Sequence, residues 1–197
     1  MVKFSVSRMS SIPAMQRLFA RGLFKNKVNI VTGGGTGIGF GTAAGLAQLG
    51  SKVVIASRSK DKIDEAVERL QVHCHDGAEI LGLQCNIRDR DNVSEMISTT
   101  IEKFGKLDGL VNNGGGQFWA HAENINEKGF HAVVDTNLTG TWNCIQEAFE
   151  QYMGENGGYI VNIVLISSTG MCGQSHSGKN LFSIYSLTYL YLFSGGT

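Results

Sequence analysis

Eight residues constrain this chain more than any others: Thr32-Gly33-Gly34-Gly35-Thr36-Gly37-Ile38-Gly39. An apolar run at residues 28–31 leads into them. A helical pattern (Ile38, Ala43, Leu46, Ala47) leads out, and Gly50 is placed to end that helix. Strand, glycine-rich turn and helix in that order put free N–H groups and the positive end of a helix dipole at the mouth of the turn. That is a seat for a phosphate. Side chains on the turn would hold the phosphate off, so Gly33, Gly37 and Gly39 are required by shape. A run of glycines by itself is often only a turn, but this one sits between a strand and a helix with further such units behind it. A nucleotide is therefore expected here, with Thr32 and Ile38 completing the loop. No Gly-Lys-Ser/Thr follows the glycines, which excludes a P-loop.

The alternation continues along the chain. A strand at residues 53–56 precedes a helix that Ser59 can cap, with Ile63, Ala66, Val67 and Leu70 as its apolar stripe. A third strand covers residues 80–84. Val93, Met96, Ile97, Ile101 and Phe104 mark a third helix, ended by Gly105. A fourth strand begins at residues 110–111 and runs into Asn112-Asn113-Gly114-Gly115-Gly116. A long helical stretch over residues 127–153 and an apolar strand over residues 159–166 follow. Strands without polar alternation, separated by amphipathic helices, imply a parallel sheet covered on both faces. The expected class is α/β, a doubly wound parallel sheet of the Rossmann kind, incomplete at its C-terminal end.

At 197 residues and 42% hydrophobic, the chain can fill one core and not two ordinary ones. Its formal net charge is zero, which argues against a nucleic-acid partner. The four cysteines form no CxxC pair, as expected of a reducing compartment. His73, Cys74 and His75 precede the turn signal Asp76-Gly77 and read as a solvated loop, so no metal site is expected.

Cofactor choice is read at the end of the second strand. An acidic residue there would accept hydrogen bonds from the ribose hydroxyls and repel a 2′-phosphate. This chain has Ser57-Arg58 and then Lys60. A hydroxyl and two cations suit a phosphate dianion, so the expected cofactor is NADP. The bland alternative is that both cations are merely solvated at a helix start.

The glycine loop, Asn112-Asn113-Gly114 and Asn137 in Thr136-Asn137-Leu138-Thr139-Gly140 together resemble the short-chain dehydrogenase/reductase family. Residues 53–58, 84–88, 111–118, 131–133 and 176–178 resemble, more narrowly, the peroxisomal trans-2-enoyl-CoA reductases. That resemblance implies NADPH-dependent reduction of an acyl-CoA thioester's double bond, a homo-oligomeric full-length protein and a peroxisomal setting. It also implies roles. Asn86 and Ile87 would flank the adenine, and Asn113 and Gly114 would line the nicotinamide ribose. Tyr185, nine residues after His176, would be the proton donor. Asn137 would hold a mid-helix bend and a relay water, its rival role being only to break the helix. Ser167 stands where many family members carry a catalytic serine. A carbonyl reductase, or a cofactor-binding protein without turnover, remains the alternative.

Three segments are expected: a basic arm or targeting segment at 1–22, the NADP-binding domain at 23–178, and a divergent tail at 179–197. Arg8, Arg17 and Arg21 among serines and apolar residues also fit a mitochondrial presequence. The tail has no peroxisomal tripeptide, and its apolar part, residues 181–193, is shorter than the ~20 residues of a membrane helix, so no span is expected. Tyr189 stands where the resemblance calls for a lysine. Little or no turnover is expected of the chain for that reason.

Overall fold

The computed structural model describes residues 19–20, 22–75, 77–117, 124–164 and 192–193. Five parallel strands form the sheet: β1 (Val28–Thr32), β2 (Lys52–Ser57), β3 (Ile80–Gln84), β4 (Gly109–Asn112) and β5 (Gly158–Asn162). A two-residue strand, β6 (Leu192–Phe193), pairs antiparallel with β5, giving the order β3-β2-β1-β4-β5-β6. Sequence periodicity gave no sign of β6.

Consecutive strand residues face opposite cores. Ile30, Val54, Ala56, Leu110 and Ile160 belong to one apolar cluster, while Val31, Val53, Ile55 and Val111 belong to the other. This is why the strands read as unbroken apolar runs: both faces are covered. Helices α1 (Gly37–Gln48) and α2 (Lys60–Gln71) contribute to the second cluster. Helix α3 (Arg90–Phe104) and the long segment after β4 contribute to the first.

Helix ends follow local chemistry, with one exception. Gly50 and Gly105 take positive φ (91° and 78°) at the ends of α1 and α3, as the sequence required. Asp89 caps α3 by accepting from the N–H groups of Asp91 and Asn92. Ser59 occupies the cap position of α2, but its side chain makes no capping hydrogen bond. Asp61 in the first turn supplies the favourable charge there instead.

The long helical stretch is continuous but not uniform. It runs as α4 (Glu127–Val134), a π-turn (Asp135–Thr139), α5 (Gly140–Ala148), a second π-turn (Phe149–Met153) and α6 (Gly154–Asn156). Thr136 and Thr141 bond back to the carbonyls of Ala132 and Asn137 on either side of the first π-turn. Such hydroxyl back-bonding loosens the regular ladder. Strand β5 is shorter than the apolar run suggested. It stops at Asn162, whose amide oxygen accepts from Asn112 at 2.9 Å. Residues 165 and 166 lie outside the described residues.

At the opposite end of the sheet from these strand ends, Asp108 ties β1 to β4. Its carboxylate accepts from Lys27 (2.8 Å), the Val28 N–H (2.9 Å) and Lys106. Burial would raise this carboxyl, but the bonds from Lys27, Val28 and Lys106 outweigh it and hold the group below the ordinary carboxylate value. The depressed value means the stabilisation is present above the unfolded-state value near 4 and is lost as pH falls through the folded one. Asp108→Asn is expected to lower stability at pH 7 by about 1–2 kcal/mol. Urea unfolding at pH 7 and pH 3 checks this: the gap between variant and parent should shrink at the lower pH, and a gap that persists unchanged contradicts it.

Candidate functional site

The strand order reverses between β1 and β4, and a groove of about 400 Å³ opens there along the carboxyl ends of the strands. Open α/β sheets bind ligands at such a reversal, because the loops on either side diverge and leave a crevice. The turn after β1 forms its floor. Gly33 and Gly37 hold φ of +64° and +57°, values that L side chains rarely adopt. Space beyond Gly37 is open: an added Cβ there would meet nothing within 4 Å. Gly39 is different. It does not line the groove, and a Cβ on it would overlap the Asn113 amide nitrogen and the Gly33 carbonyl oxygen. The missing side chain lets the loop pack closely here.

Thr32 is also beneath the groove, with 1% of its surface exposed. Its hydroxyl accepts from the N–H groups of Asn113 (3.0 Å) and Gly114 (2.9 Å). The Asn113 amide donates in return to the carbonyls of Thr32 (3.1 Å) and Gly33 (3.3 Å). These four bonds stitch the turn after β1 to the turn after β4. Asn113 and Gly114 line the groove as well, and so do Ile38, Asn86 and Ile87.

Asn137 lies in the first π-turn, and its amide pairs with one peptide group. It accepts from the Gly116 N–H (2.9 Å) and donates to the Gly116 carbonyl (3.0 Å). It therefore bonds backbone across 21 residues rather than within its own helix. The effect is to fix the loop after β4 against α4 and α5.

At the end of β2, Ser57 and Arg58 line the groove. Among the described residues no carboxylate pairs with Arg58. Lys60 is not beside them. Its ammonium bonds Asp64 one helical turn on, at 3.0 Å. Lys62 lines the groove in its place. The sequence carried a signal for this pairing, since Lys60 and Asp64 have the i,i+4 spacing at which opposite charges meet on a helix. Cys85 also lines the groove, with a thiol that burial, then Asp89 and Glu95, pushes up to about 11, so it stays protonated. Tyr185, Ser167, Ser168, His176 and Tyr189 lie outside the described residues.

A nucleotide-sized groove over a glycine turn, at a reversal of strand order, narrows the family, and sequence comparison decides it. The profile described as short chain dehydrogenase matches residues 27–186. The chain belongs to the short-chain dehydrogenase family. The chain is 33% identical over 172 residues to the peroxisomal 2,4-dienoyl-CoA reductase [(3E)-enoyl-CoA-producing] of Rattus norvegicus. The match takes in 87% of the chain and spans 58% of the rat enzyme's length. It is 34% identical to the 3-oxoacyl-[acyl-carrier-protein] reductase FabG of Staphylococcus epidermidis, over 83% of the chain and 66% of that protein. Among solved structures, the citronellol catabolism dehydrogenase AtuB of Pseudomonas aeruginosa superposes with a TM-score of 0.80 at 35% identity. That superposition covers 87% of this chain and 69% of the other.

Proposed function

We propose that the groove binds NADP(H) and that the protein reduces the carbon–carbon double bond of a trans-2-enoyl-CoA thioester. The observation that carries the cofactor choice is Arg58, unpaired among the described residues, beside Ser57 at the end of β2 with Lys62 on the same groove. Two cations and a hydroxyl, with no carboxylate at the strand end, match a 2′-phosphate and leave a bare ribose without its usual acidic acceptor. The open space beyond Gly37, next to the first N–H groups of α1, fits a pyrophosphate.

Bound NADPH supplies a hydride. The chain's own residues do the rest. Reduction at the β carbon puts negative charge on the thioester oxygen, and a donor aimed there lowers the barrier. Tyr185 is the residue proposed to deliver a proton, with Ser167 a second polar group near it in the chain. Asn137 and Gly116 hold the loop on which the reacting end would rest. The rat relative's name supports an acyl-CoA substrate and a peroxisomal setting. The staphylococcal relative's name favours a second reading, reduction of a 3-oxoacyl thioester to the hydroxyacyl product.

Oxidation of NADPH by a trans-2-enoyl-CoA and by a 3-oxoacyl-CoA, followed at 340 nm, separates the two. Saturated acyl-CoA is the expected product. The rate should fall well below the ordinary range of roughly 1–10³ per second, because Tyr189 cannot supply the cationic field of a lysine. Turnover confined to the 3-oxoacyl thioester overturns the enoyl reading.

A further inference from the structure

The turn between β3 and α3, residues 86–89, has four N–H groups. The Asn86 N–H donates to the Asn92 side chain at 3.4 Å, the Arg88 N–H to the Asn86 amide oxygen at 3.3 Å, and the Asp89 N–H to the Asn86 carbonyl at 2.9 Å. Among the described residues no acceptor meets the fourth, that of Ile87. Ile87 lines the groove and is only 9% exposed, and a polar backbone group so placed needs a partner from the solvent or a ligand.

The other side of the same residue is held firmly. Asn143 on α5 is buried, and its amide donates to the Ile87 carbonyl at 3.0 Å across 56 residues. The Ile87 side chain lies against Gly114 and Gly140, where an added Cβ would come within 3.0 and 2.7 Å of it. Helix α5 and the turn that follows it are docked independently by Arg90 on Glu147 (2.6 Å) and Gln151 on Ser94 (2.9 Å). Asn143 is therefore not needed to hold the helix in place. What it holds is one peptide carbonyl at the groove.

We propose that Asn143 is a positioning residue that makes this end of the groove select adenine, by anchoring the Ile87 carbonyl so that the Ile87 N–H faces the base. The inference rests on the NADP(H) reading above. If Arg58 at the end of β2 meets the adenosine ribose, the base lies one strand further out, beyond β3, where Asn86 and Ile87 stand. The free N–H is a donor. Adenine offers the complement, an acceptor ring nitrogen. Hypoxanthine has a ring N–H at the same position, a second donor that the Ile87 N–H cannot meet.

The test is equilibrium binding of NADPH, its hypoxanthine counterpart and NADH to the chain and to Asn143→Leu and Asn143→Ala. The unmodified chain should prefer the adenine ligand by about ten-fold or more. Both variants should bring that preference to within about two-fold, while the NADPH-over-NADH preference set at Arg58 is retained. Each ratio is measured on one preparation, so it does not depend on the fraction folded. No adenine preference in the unmodified chain, or a preference that survives both substitutions, overturns the role of Asn143 alone. Failure of the unmodified chain to favour NADPH over NADH overturns the cofactor reading beneath it.

Discussion

Gly39→Ala is expected to weaken dinucleotide binding by about ten- to a hundred-fold. The added methyl would overlap the Gly33 carbonyl oxygen, which belongs to backbone and cannot swing aside, and the Asn113 amide nitrogen. Relief requires moving the turn after β1 away from the turn after β4, which breaks the bonds from Asn113 to the carbonyls of Thr32 and Gly33. Overpacking of a tight contact costs roughly 1–3 kcal/mol, and here the strain falls on the loop that would cradle the phosphates. Gly41, two residues on in the same helix, supplies the contrast. Its Cβ would meet nothing within 4 Å, so Gly41→Ala should leave binding unchanged and stabilise the helix by about 0.5–1 kcal/mol. Titration and thermal unfolding of both variants check the pair. Equal binding by the two would remove the steric account of the loop.

Arg58→Asp is expected to invert cofactor preference. Loss of a charge-assisted bond to a 2′-phosphate removes about 1.5–3 kcal/mol from NADPH binding, and the carboxylate adds repulsion on top. The same carboxylate can accept from both hydroxyls of an unphosphorylated ribose, so NADH should gain. The combined change in the NADPH-to-NADH affinity ratio is on the order of a thousand-fold. Lys62→Ala should give a smaller shift in the same direction, since an exposed lysine is a flexible point charge. Lys60→Ala, with its ammonium on Asp64, should give almost none. An effect at Lys60 as large as that at Lys62 would contradict the placement of these two side chains.

Most of the fold was legible because local chemistry and tertiary structure agree. Gly50 and Gly105 end helices at positive φ because only glycine takes that conformation without strain, and the strands are apolar on both faces because helices cover both. Disagreements arise where a distant contact overrides a local signal. Ser59 sits at a cap position with no capping bond, and β5 stops at Asn162, whose side chain meets Asn112 on β4.

The candidate site follows the same division. Loop residues chosen by shape were found at the groove or just beneath it, since the turn itself dictates them. Thr32 and Gly39 lie beneath because their contacts are with the loop after β4, about 80 residues away in sequence. Asn143 could not be singled out from the sequence at all. A polar residue within a long helix has no periodic signature, and its meaning rests on one carbonyl 56 residues earlier.

The central claim is that this groove is an NADP(H) site. Titrating the unmodified chain with NADPH and NADH at one ionic strength tests it most directly. Binding of NADPH at least ten-fold tighter than NADH is the predicted result. Equal affinities, or no binding of either, would contradict it.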